Sequence, residues 1–90
     1  MEFEWDTANV EHIRIHGVKS DEAADAFFGN PVLIKEQLIN GEARSVILGK
    51  TSSGRLLVIV YTTRDSKIRV VTAFSAKRKL RRFYEEALNG

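Results

Sequence analysis

LLVIVYTTR, at Leu56–Arg64, is an almost continuous apolar run that predicts the central β-strand of the fold. Turn residues stand on both sides of it, Ser52-Ser53-Gly54 before and Asp65-Ser66 after. Further out, Asn40-Gly41 is typical of a tight hairpin because both residues accept a positive φ. The stretches between these turns predict four strands in an antiparallel meander: Val32–Ile39, Ala43–Thr51, Leu56–Arg64 and Ile68–Phe74.

Helices are predicted on both sides of this meander. Asp6 is the predicted N-cap of a helix over Thr7–Ile15. Ser20 is the predicted N-cap of a second helix, and Gly29-Asn30-Pro31 is expected to end that helix. Apolar residues recur at helical spacing over Lys77–Leu88 and predict a final helix. The predicted fold class is therefore α+β: a two-layer domain with two N-terminal helices, a four-stranded antiparallel sheet and a C-terminal helix, in one domain over residues 1–90.

Composition excludes several classes of protein and site. The 90 residues contain no cysteine, which excludes a disulfide framework, a thiolate zinc site and a cysteine nucleophile. No apolar run approaches the roughly 20 residues needed to span a bilayer, and the acidic start MEFEWD lacks an apolar secretory segment. We therefore expect a cytoplasmic protein with no membrane partner.

The net charge of +2 conceals an uneven distribution along the chain. Residues 1–30 carry seven acidic and two basic side chains, whereas residues 55–82 carry nine basic side chains and one acidic side chain. Such a basic block indicates binding to a polyanion or to an acidic protein, although a solvated surface is an equally simple interpretation.

The turn at Asp65-Ser66 predicts an anion site. In a two-residue hairpin Arg64 faces Lys67, Thr62 faces Arg69 and Val60 faces Val71, which puts the cations on one face and Tyr61 and Phe74 on the other. Opposed cations are unfavourable unless an anion joins them, and arginine binds phosphate with a bidentate fork. The alternative is that these long side chains simply extend to water.

Histidine and tyrosine side chains are further candidates. His12 and His16 are spaced i, i+4, but no third metal ligand is evident, so no metal site is predicted. His16 instead suits the negative end of a helix or a role in proton transfer. Tyr84 belongs to the core or, alternatively, stacks on a base or binds a phosphate.

Several short sequence motifs follow one another along nearly the whole chain. They are FEWD at Phe3–Asp6; Asn9, His12-Ile13 and His16-Gly17-Val18; Glu22-Ala23 and Phe27-Phe28; Leu48-Gly49 to Gly54-Arg55; Val58–Tyr61; and Arg64, Arg69, Arg81, Arg82 and Tyr84. This ordered set resembles the BrnT family of bacterial toxins, which look like small RelE-type ribonucleases.

The resemblance implies a RelE-like fold and a toxin of a type II toxin–antitoxin pair that cleaves RNA without a metal or cofactor and inhibits growth. It implies as partners a BrnA-like ribbon-helix-helix antitoxin, an RNA substrate and, through the antitoxin, operator DNA. The candidate catalytic residues are Arg64, Arg69, His16 and Tyr84. The candidate RNA-binding residues are Arg55, Lys67, Lys77, Arg78, Arg81 and Arg82.

Two positions depart from the family pattern. The family usually reads like T-A-R after the fourth predicted strand, whereas this chain has Thr72-Ala73-Phe74. Leu80 stands near the place of a frequent glutamate in the last helix. An alternative function is therefore a catalytically weak or inactive module that binds an antitoxin and contributes to operator repression.

Overall fold

The LLVIVYTTR stretch forms the middle strand of a five-stranded sheet in the computed structural model of the chain, which describes residues 2–89. The strands are β1 (Glu2–Phe3), β2 (Val32–Ile39), β3 (Glu42–Lys50), β4 (Leu56–Arg64) and β5 (Lys67–Ser75). Their order across the sheet is β1-β5-β4-β3-β2. The predicted antiparallel meander is confirmed for β2 to β5.

The prediction of a four-stranded, purely antiparallel sheet is wrong, because β1 adds a fifth strand that runs parallel to β5. Glu2 pairs with Lys67 and Phe3 with Ile68. A two-residue strand has no periodicity that a sequence could reveal. It is held by contacts distant in sequence, among them the Phe3 ring packed edge-on against Phe27 at a centroid distance of 5.3 Å.

Three helices surround the sheet: α1 (Thr7–Ile15), α2 (Ser20–Phe27) and α3 (Arg78–Asn89). The predicted cap of α1 is confirmed, since the Asn9 backbone N–H donates to Asp6 Oδ1 at 2.8 Å. The predicted cap of α2 is wrong by one residue: Lys19 is the N-cap, and its backbone N–H donates to Glu22 Oε1 at 3.0 Å. Among residues 2–89 no helix combines the length and apolar character required to cross a membrane.

The helices lie on both faces of the sheet, so the predicted two-layer arrangement is also corrected. On one face α1 and α2 bury Ile13 and Ala23 against Leu57 and Ile59. On the other face Tyr84 of α3 packs with alternate residues of the same strand, Leu56 and Val58. Burial of both faces explains why the start of β4 is continuously apolar rather than alternating.

A β-bulge in β5 decides which side chains share a face. Arg64 pairs with Lys67 and Thr62 with Arg69, as predicted, but Val60 pairs with Thr72 rather than Val71. The extra residue reverses the alternation beyond it. Phe74 therefore lies opposite Val58, on the α3 face, and not beside Tyr61 as the regular hairpin predicted.

Candidate functional site

The α3 helix covers only part of its sheet face, and the uncovered part forms a groove of about 320 Å³. Four strands and α3 contribute to its walls. The residues that line this α3 groove are Ile34, Lys35, Gln37, Val46, Val58, Val60, Phe74 and Leu80. Six of these eight side chains are apolar, and none is a carboxylate.

Both positions that depart from the family pattern, Phe74 and Leu80, line this one groove. Phe74 is 37% exposed and lies at the surface of the groove. The His16 ring, at the C-terminal end of α1, approaches the Phe74 ring at a centroid distance of 6.1 Å. The structure thus brings His16 beside Phe74, 58 positions further along the chain, and Leu80 lines the same groove as Phe74.

Arg69, a predicted phosphate ligand, is engaged by two carboxylates. Its Nη1 lies 2.8 Å from Glu4 Oε1 and its Nη2 lies 3.4 Å from Asp6 Oδ2. The Glu4 hydrogen bond raises the pKa of Arg69, and the same bond lowers the pKa of Glu4. The side chain is 23% exposed, so in this conformation Arg69 ties the segment after β1 to β5.

Arg64, the second predicted phosphate ligand, shares a carboxylate with Arg44. Glu42 Oε1 accepts from Arg44 Nε at 2.8 Å, and Glu42 Oε2 lies 3.4 Å from Arg64 Nη2. Sequence reasoning missed Arg44 and Glu42, because the predicted strand began at Ala43. The observed β3 includes Glu42, and the i, i+2 spacing puts the two side chains on one face. Together with Arg69 and Thr62 they line a polar cavity of about 230 Å³.

Tyr84 is buried, with 3% of its surface exposed. Its hydroxyl donates to the carbonyl oxygen of Asn30 at 3.0 Å and approaches that of Gly29 at 3.3 Å. Burial raises the pKa of the phenol. In this arrangement Tyr84 anchors α3 to the turn before β2, which matches the core alternative.

Arg55, predicted to bind RNA, makes internal contacts. Its Nη1 lies 2.9 Å from the Gly17 carbonyl oxygen and 3.1 Å from Glu22 Oε2, and its Nη2 donates to Ser75 Oγ at 2.9 Å. Arg55 therefore joins the loop between α1 and α2 to the ends of β4 and β5.

The predicted RNA-binding residues of α3 and of the position just before it form, with the neighbouring Lys79, an exposed cationic surface, here called the basic face. It comprises Lys77, Arg78, Lys79, Arg81 and Arg82. Within the described part of the chain no ion pair involves these side chains. Arg78, Lys79 and Arg82 border a shallow concavity that could receive phosphates. Lys67 is also exposed, at the β4–β5 turn.

The two histidines of α1 lie close together, with ring centroids 5.6 Å apart. Residues 2–89 contain no group of three or more His, Cys, Asp or Glu side chains that could hold a metal ion. The His16 backbone N–H donates to the Ile13 carbonyl oxygen at 3.0 Å, at the end of α1. Its ring is thereby placed at the edge of β5, beside Phe74.

Comparison with known proteins agrees with this fold and these motifs. Residues 5–79 match the family model described as "Ribonuclease toxin, BrnT, of type II toxin-antitoxin system". No curated protein matches the sequence significantly. The matched segment includes α1, α2 and β2 to β5, and it ends one residue before Leu80. The chain belongs to the BrnT family of ribonuclease toxins of type II toxin–antitoxin systems, whose members have an antitoxin as partner.

Proposed function

We propose that this chain is a toxin-fold protein that binds its antitoxin but cleaves RNA weakly or not at all. The observation that carries the proposal is the α3 groove, in which Phe74 and Leu80 replace the arginine and glutamate that the family resemblance implies. The antitoxin is a BrnA-like ribbon-helix-helix protein in the cytoplasm, and the complex contributes to repression at operator DNA.

Metal-independent RNA cleavage makes demands that this groove does not meet. The 2′-hydroxyl attacks the adjacent phosphate, so the protein must supply a base, an acid and a cation at the developing charge. The groove offers Lys35 and Gln37 among apolar side chains, with His16 beside Phe74. One charge-assisted contact contributes about 1.5–3 kcal/mol, so a missing arginine lowers the rate roughly tenfold or more.

The predicted phosphate ligands support the same conclusion. Arg69 binds Glu4 and Asp6, and Arg64 shares Glu42 with Arg44. A phosphate would have to compete with the Glu4 and Asp6 carboxylates for Arg69, which is 23% exposed. Arg64 is less constrained, because its side chain is 57% exposed and its contact with Glu42 is 3.4 Å long. Tyr84 donates its hydroxyl to backbone carbonyls and is buried away from solvent.

A second candidate function is the endoribonuclease itself, with a RelE-like site that inhibits growth by cleaving RNA. The exposed basic face favours it, because five cations on one short segment suit a nucleic-acid backbone. His16 could transfer a proton, and Arg64 and Arg69 could stabilise charge once their carboxylates are displaced.

The discriminating experiment uses this chain and a BrnA-like ribbon-helix-helix antitoxin. RNA cleavage is measured by gel in the presence of EDTA, with a known ribonuclease as positive control, and growth is followed after tightly controlled induction. We expect a stable complex, intact RNA and normal growth. RNA cleavage and growth arrest by the wild-type chain would establish the second candidate instead.

A further inference from the structure

The α3 groove is an apolar surface left open in the folded chain. Val46, Val58 and Val60 form its floor, and Phe74 and Leu80 stand at its sides. Val46 and Val58 are buried at the base of the groove, whereas the half-buried Val60 and Leu80 and the 37% exposed Phe74 leave apolar surface accessible at its opening. Accessible apolar surface of this kind is a candidate interaction site. The family implies an antitoxin as the partner that such a surface could bind. The inference about the groove rests on the proposed function.

The dimensions of the groove suit a helix. It crosses from β2 to β5, a distance of three inter-strand spacings or about 14 Å. Ten residues of α-helix have about this length. The neighbouring α3 already packs on the same face through Ala76, Leu80 and Tyr84, spaced four residues apart. A second helix beside α3 would repeat this packing with its own apolar stripe.

The charge of the groove lining indicates which residues should border the apolar stripe of that helix. Lys35 lies at the β2 side and is the cation of the groove lining, whereas Arg78, Lys79 and Arg82 border a separate concavity. The lining contains no carboxylate. A helix with an apolar stripe bordered by Asp and Glu is therefore complementary in both shape and charge.

A protein helix fits the groove better than RNA does. Bases carry donors and acceptors along their edges, and only Lys35 and Gln37 in the lining could pair with them. Phe74 is the one aromatic ring in the lining, so successive bases could not each stack.

We infer that the α3 groove binds an acidic amphipathic helix of the antitoxin, whose apolar residues at i, i+3 or i+4 and i+7 contact Phe74, Leu80 and the valine floor. The groove thus serves as the antitoxin contact of this chain, with Lys35 pairing with a carboxylate of the helix.

Because the chain has no cysteine, single introduced thiols can test this inference without interference. Gln37→Cys places a thiol in the groove, and Leu38→Cys places one on the opposite face of the same strand, at a position 74% exposed. Maleimide labelling is timed with and without the BrnA-like ribbon-helix-helix antitoxin. We expect the partner to slow labelling at Gln37→Cys roughly tenfold or more and to leave Leu38→Cys unchanged.

Affinity measurements on two further variants complete the test. Phe74→Glu and Lys35→Glu should each weaken partner binding about tenfold or more, whereas Leu38→Glu should not. Circular dichroism checks folding, and Lys35→Glu changes an exposed residue and keeps the core intact.

Each other outcome has a distinct meaning. If the partner binds but protects neither thiol, or if binding tolerates both charge changes, the inference about the groove is wrong. Antitoxin binding as such would still stand. Failure to form any complex contradicts the proposed function. Protection of Gln37→Cys by a short single-stranded RNA, or by raising the concentration of this chain alone, would assign the groove to RNA or to a second copy.

Discussion

The ring of His16 lies edge-on to the ring of Phe74, with their centroids 6.1 Å apart, although 58 positions separate the two residues in sequence. This contact places the end of α1 beside the mouth of the α3 groove. A histidine side chain therefore borders a surface that is otherwise mainly apolar.

Replacing Phe74 with arginine should create or increase RNA cleavage. The substitution supplies a cation next to His16, and combining it with Leu80→Glu supplies a carboxylate in the same groove. We expect cleavage in EDTA to rise roughly tenfold or more over the wild-type chain. Leu38→Arg adds the same charge on the opposite face and should have no effect. An active wild type that Phe74→Arg leaves unchanged would contradict the proposed loss of catalysis.

The basic face should determine how RNA binding depends on salt. Replacing Arg78, Lys79 and Arg82 together with alanine removes up to three phosphate contacts. The slope of log affinity against log salt for single-stranded RNA should fall by roughly 2, as measured by fluorescence anisotropy. Arg14→Ala, on α1 and paired with Glu11, is the control and should keep the full slope. An unchanged slope in the triple variant would place the contacts elsewhere.

The Glu4–Arg69 ion pair should contribute to stability only above acidic pH. The Arg69 hydrogen bond lowers the pKa of Glu4 in the folded state below its ordinary value of 4.5. Its contribution is therefore present above pH 4.5 and is lost as the pH falls through the lower folded-state pKa. Glu4→Gln should melt a few degrees below wild type at neutral pH, and the difference should vanish in acid.

Glu36→Gln, which changes an exposed residue of β2, serves as the control for that pH series. Its melting temperature should follow the wild type throughout. A gap between Glu4→Gln and wild type that persists in acid would show that the effect does not come from the ionised carboxylate.

Tyr84→Phe should reduce stability without a specific effect on catalysis. The change removes the hydroxyl that donates to the Asn30 carbonyl oxygen, so the hydrogen bond between α3 and the turn before β2 is lost. We expect a loss of about 1 kcal/mol in the free energy of unfolding, measured by urea denaturation. In the Phe74→Arg background, any RNA cleavage by folded protein should keep its rate and pH profile. A rate loss larger than the stability loss explains would give Tyr84 a direct catalytic role.

Gly49→Ala should strongly destabilise the packing of α2 on β3. A Cβ at Gly49 would overlap the Ala26 carbonyl oxygen, a backbone atom that cannot rotate away. The expected loss is roughly 1–3 kcal/mol in the free energy of unfolding. Gly41→Asn is the matched control, because Gly41 has a positive φ that Asn tolerates and open space around it. Equal midpoints for the two variants would exclude this close approach.

Local patterns determined most of the secondary structure. The Asn40-Gly41 and Asp65-Ser66 turns placed both hairpins correctly, and Asp6 capped α1 as its side chain indicated. These features depend on neighbours within a few residues, so a sequence displays them directly. The two-residue β1 strand has no such signature, because only pairing with the distant β5 creates it. The bulge in β5 forms against the neighbouring β4, and no local turn or cap residue marks it.

The sequence by itself determined the α+β class, the basic block near the C-terminus and the identity of the residues at positions 74 and 80. Only the tertiary structure decided what those residues do together. The bulge turned Phe74 to the α3 face, the acidic N-terminal segment reached Arg69, and Tyr84 was buried against Asn30. The contacts of Arg69 and Tyr84 join residues more than 50 positions apart, and the bulge depends on how β5 pairs with β4. Packing of the chain, rather than any local preference, therefore sets the site.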